Sequence, residues 1–235
     1  MNLKKLQSTA RRRLDLRGEV EFVKLPGSAG RVLASSVATP SLELKHTIKY
    51  SEASSLDPAD VFHEFSRAKL YELGFRSVEN AALVALRDCS KDDPKYIFDA
   101  NSAVVLVSEV YTSYLLYTYF PEESDQRRNE IVQRFTSTDA LTSLHTRMGF
   151  WGIGGIAYYK LASEWAGKNF PSKQVEAAIG RASDGKAISE KLSQIELVLK
   201  KLPRMGEKDF GDSEQIQILS IIIELFSAKT GLNCE

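Results

Sequence analysis

The chain has 235 residues, 43% of them hydrophobic and 26% charged, with Lys plus Arg and Asp plus Glu both at 31. This is the composition of a folded globular protein with enough chain for one sizeable core, and it excludes a disordered tail. The balanced charge gives no global reason to expect nucleic acid or an anionic membrane as a partner. The two cysteines, Cys89 and Cys234, are far apart, which excludes a disulfide framework and a CxxC metal site and suits a reducing compartment.

The opening segment MNLKKLQSTARRRLDLRGEV lacks the apolar core of a signal peptide. The longest strongly apolar stretch without charge, Met148 to Tyr159, falls short of the ~20 residues that span a bilayer. A soluble cytoplasmic protein with no membrane partner is expected.

In chain order, the basic segment from Lys4 to Arg13 predicts a short helix. No aromatic residues interleave its charges, so a solvated face is expected rather than a nucleic-acid arm. Glu19 to Leu25 and Arg31 to Ala38 read as strands, and the intervening PGSAG as a turn, which together predict a hairpin. In the next segment Leu42, Leu44, His46, Ile48 and Tyr50 alternate with Glu43, Lys45, Thr47 and Lys49. That period of two predicts a strand with one buried and one wet face.

Everything after Tyr50 reads helical. Asp57 is an N-cap candidate, Pro58 suits the first turn, and Gly74 can end the helix in the left-handed conformation. Further helices are predicted over 78–88, 101–120, 123–135, 138–147, 153–166, 173–182, 186–202 and 213–229. The expectation is an α+β protein, a single domain over residues 1–235, in which a small N-terminal antiparallel sheet precedes a mostly helical remainder.

The helix opened by Asp57 carries the chemistry. His63 and residue 67 lie four apart, one above the other on a single helix face. Two histidines so placed hold zinc in metallopeptidases, and the glutamate after the first, here Glu64, acts as general base for the metal-bound water. In this chain Arg67 stands in the second histidine's place. Arginine stays protonated, offers only donors and cannot ligate a metal.

The segment FHEFSRAKLYELGF, Phe62 to Phe75, resembles the active-site helix of zincin-type metallopeptidases, in particular gluzincin-like families of uncharacterised microbial proteins. Downstream, SEVYTSYLLYTYFP, Ser108 to Pro121, resembles their second motif, in which a glutamate opens a helix that ends at a proline. The resemblance covers Leu42 to Pro121. It implies a zincin-like core within residues 1–121, followed by a helical extension over 122–235. It also implies His63 and Glu109 as metal ligands and Glu64 as a vestigial catalytic base. Arg67 leaves that ligand set incomplete, and Ser113 stands where related motifs often carry a supporting aspartate.

Two placements of Arg67 are open: a surface charge beside Glu64 or Tyr71, or a cation seated in the emptied metal site and paired with Glu109. The resulting expectation is a catalytically inactive pseudo-peptidase without a cofactor, acting as a binding or regulatory module for a protein or peptide partner. The alternative is an atypical metal-dependent hydrolase that uses Glu64 as general base, with zinc held by His63, Glu109 and either His145 or a water.

Other residues have simpler readings. His46 is expected to be a hydrogen-bonded core imidazole. GFWGIGG, Gly149 to Gly155, lacks the spacing and lysine of a phosphate loop and suggests close helix packing through Gly152 and Gly155. Tyr111, Tyr114, Tyr117, Tyr119 and Phe120 read as core. No GxSxG elbow is present.

Overall fold

The computed structural model describes residues 3–25, 33–38, 44–51, 57–90, 94–136, 150–206 and 209–232. Helix α1 (Leu3–Leu14) leads into strands β1 (Glu19–Leu25), β2 (Leu33–Ala38) and β3 (Leu44–Ser51). Helices α2 (Pro58–Glu72), α3 (Phe75–Ser90), α4 (Pro94–Tyr119) and α5 (Pro121–Thr136) come next. The last four helices are α6 (Phe150–Trp165), α7 (Ser172–Arg181), α8 (Gly185–Leu199) and α9 (Asp212–Thr230). The α+β expectation holds at this level, and the helices keep close to their predicted spans except α4, which begins at Pro94 rather than at 101. The segment 138–147, read as a helix, lies outside the described residues.

The sheet corrects the sequence reading. Its order is β1-β3-β2, so β1 and β2 do not form the expected hairpin. β3 lies between them, antiparallel to β2 from Leu33↔Lys49 to Ala38↔Leu44, but parallel to β1 from Glu19↔Lys45 to Leu25↔Ser51. The sheet is therefore mixed, not antiparallel. A hairpin signal is local, whereas the position between two strands goes to whichever strand buries most there. β3 has the strict alternation, and its His46 and Ile48 are fully buried.

α2 begins and ends where its sequence dictates. The Asp57 side chain accepts a hydrogen bond from the Ala59 N–H at 2.9 Å, which satisfies one of the helix's orphan donors. At the other end Gly74 has φ +97°, a backbone region that side chains avoid. The helix is buried nearly all round because it lies between the sheet and α4. Phe65 meets Phe22 of β1 edge-on at 5.9 Å between ring centroids, and Phe62 stacks on Phe120 at 4.1 Å. α6 packs along α4, where a Cβ on Gly154 would stand 3.0 Å from Leu106. Gly152 and Gly155 are buried too. The buried apolar side chains form one contiguous cluster from Ala10 to Phe226. Among the described residues no helix is long and apolar enough to cross a membrane.

One carboxylate fastens α2 to the sheet. Glu72, at the end of the helix, accepts the backbone N–H groups of Arg17 at 2.9 Å and Gly18 at 2.5 Å. The His46 Nε2 lies 3.2 Å from it, so this histidine is the hydrogen-bonded core imidazole expected. Burial pushes the Glu72 pKa up, but the hydrogen bonds from His46, Gly18 and Arg17 outweigh burial and hold it below the ordinary value. A carboxylate depressed in the folded state contributes stability above its unfolded pKa, near ~4.3, and loses it as pH falls through the lower folded value. Glu72→Gln is expected to lower stability at pH 7 by about 1–3 kcal/mol and to flatten the acid limb below about pH 4. Urea unfolding across that pH range checks both effects. An unchanged acid limb would assign the acid sensitivity to other carboxylates.

Candidate functional site

The site lies where α2 faces α4. α2 supplies His63, Glu64 and Arg67, and α4 supplies Glu109 from 42 residues further along the chain than Arg67. The guanidinium of Arg67 is the centre of the group. Its Nη2 donates to Glu109 Oε1 in a close ion pair. Its Nη1 donates to Glu64 Oε2 at 3.3 Å, and Nη2 stands 3.4 Å from His63 Nε2. His63 Nε2 is also 3.3 Å from Glu109 Oε2. The four side chains thus form one cluster, and Arg67 is not a surface charge: its side chain is 16% exposed.

Helical geometry explains half of this arrangement. His63 and Arg67 share a face because they are one turn apart, and Glu64 borders the same gap. The other half comes from packing, since the Phe62–Phe120 stack brings α2 against the end of α4. Ser113, one turn beyond Glu109, is buried and is not among the atoms that bond Arg67 or His63.

The electrostatics favour the ionised arrangement. Burial opposes the guanidinium's charge, but Glu109, then Glu64, more than compensate, and the Arg67 pKa is raised above its usual range. His63 Nδ1 is buried without a hydrogen-bond partner.

A residue that sequence reading missed joins the same field. Tyr158 of α6 is buried, which pushes its phenol pKa well up, and Tyr159 and then Glu109 push it further. Its only sequence signal is the Tyr-Tyr pair in an apolar helix. Of the aromatic run on α4, Tyr111 and Tyr117 are core residues, as is Phe120 just beyond the helix, whereas Tyr119 is exposed.

The residues present do not fit a zinc ion. A catalytic zinc needs three protein ligands around an open position, and here a fixed cation, the Arg67 guanidinium, lies against His63 and pairs with Glu109. Among the described residues no group of three or more His, Cys, Asp or Glu side chains is arranged to hold a metal. His145 lies outside the described residues. Glu64 would have to leave its ion pair with Arg67 before it could take a proton from water. Comparisons with protein-family models, curated proteins and solved structures find no match to this chain. The functional reading therefore rests on the site alone.

Proposed function

We propose that this chain is a zincin-type, gluzincin-like metallopeptidase fold whose metal has been replaced by an arginine, and that it acts as a non-catalytic binding or regulatory module for a protein or peptide partner. The observation that carries this reading is the Arg67 guanidinium, bonded at once to Glu109 and Glu64 beside His63. In the resembling enzymes these positions surround a divalent cation. A guanidinium compensates the same carboxylates, but it has no open coordination position and lowers the pKa of no bound water. It also engages the glutamate that would serve as general base. The frame is retained and the chemistry is lost. The wide separation of Cys89 and Cys234 in the chain accords with a reducing, cytoplasmic setting.

Elemental analysis of protein purified without chelator tests the reading directly. No stoichiometric zinc is expected, and no peptidase activity that responds to Glu64→Gln. Stoichiometric zinc that disappears in His63→Ala would overturn it. If hydrolysis also vanished in Glu64→Gln, the atypical metal-dependent hydrolase would be the correct reading.

A further inference from the structure

A cleft of about 400 Å³ lies between α6, α7 and α8, away from the Arg67 cluster. Its volume falls in the range of small-molecule sites, and its lining mixes apolar side chains with three serines and four charged residues. Ile156, Val175, Ile179 and Leu192 are buried side chains that give it an apolar wall. Lys160 of α6 and Glu196 of α8 also line it, with the Lys160 Nζ 3.0 Å from both Glu196 carboxylate oxygens. This ion pair is largely shielded, its side chains 22% and 17% exposed. The remaining charged lining residues are Glu176 and the exposed Lys186, whose Nζ stands 4.0 Å from Glu190.

We propose that this cleft binds an apolar α-amino acid as its zwitterion. An ammonium has more donors than one carboxylate consumes, and a carboxylate has more acceptor positions than one ammonium fills. The Lys160–Glu196 pair therefore presents a spare donor next to spare acceptors, the complement of a ligand carboxylate next to a ligand ammonium. A ligand of a single charge would leave one member of the pair facing a like charge. The apolar wall then takes the ligand side chain. None of these residues belongs to the Arg67 cluster, so the proposal stands independently of the pseudo-peptidase reading.

Isothermal titration with L-phenylalanine and L-leucine tests it. At least one is expected to saturate with a Kd on the order of 0.1 mM. N-acetyl-L-phenylalanine, which lacks the ammonium, and L-phenylalaninamide, which lacks the carboxylate, should each bind at least about 10-fold more weakly than phenylalanine. The double variant Lys160→Met/Glu196→Met removes both charges without stranding either and should abolish binding. Ile179→Trp fills the apolar wall, leaves the ion pair in place and should abolish it too, and circular dichroism establishes that both variants fold. Absence of saturation by either amino acid overturns the proposal. So does a capped analogue that binds as well as phenylalanine, or binding that survives in both folded variants.

Discussion

Arg67→Met is expected to destabilise the protein by about 3–5 kcal/mol, the usual cost of breaking a buried ion pair by removing one partner. The methionine fills much of the arginine's volume, so the loss comes from charge. Glu64 and Glu109 are 5% and 7% exposed and would lose the cation that both contact. Protonating a buried carboxylate removes the charge that burial penalises. The deficit of Arg67→Met relative to the parent should therefore shrink on acidification. Adding Glu109→Met to the variant should recover much of the loss, because replacing a buried pair by apolar side chains is often neutral. Guanidinium unfolding of the three proteins at pH 7 and pH 4.5 decides the matter. A loss below about 1 kcal/mol for Arg67→Met, the scale of an exposed pair, would show that the guanidinium is not what holds α2 to α4.

Arg67→His is expected to gain zinc affinity that the parent lacks. The substitution removes the cation that repels a divalent ion and places a second imidazole one turn from His63, on the face that meets Glu109. Two histidines and a glutamate make a three-ligand site with an open position for water. The metal-free variant should be less stable than the parent, since it too removes the cation that the carboxylates contact, and zinc should restore stability. At a free concentration 100 times the Kd the gain is about 2.7 kcal/mol. Ser113 offers no carboxylate to support a ligand, a deficit commonly worth ~10–100-fold in affinity. Calorimetric titration with zinc and thermal melts with and without it measure both effects. Equal, negligible zinc binding by parent and variant would mean that the space between α2 and α4 is not a metal frame, and the zincin reading would fail with it. Peptidase activity is not required by this prediction, because ligand geometry and substrate access are separate properties.

By itself the sequence determined those features that depend on neighbours in the chain. Asp57, Pro58 and Gly74 delimit α2 because capping and a positive φ act within a few residues. The four-residue spacing puts His63 and Arg67 on one face because the helical repeat does so wherever the helix lies. The alternation along β3 identifies its buried face, with His46 and Ile48 inward, for the same reason.

Pairing across the chain was decided only in three dimensions. Strands β1 and β2 each carry a strand signal, but nothing local tells them to leave room for β3 or to lie parallel to it. His46 needed a partner, and packing placed the end of α2 so that Glu72 supplied one. Arg67 had two placements open from sequence, and the approach of α4 selected Glu109 as its first partner. The Lys160–Glu196 cleft had no sequence signal and Tyr158 only its Tyr-Tyr pair, because their significance lies in which helices meet there. Periodicity specifies a face, whereas the choice among faces that can bury one another is settled by the whole core at once.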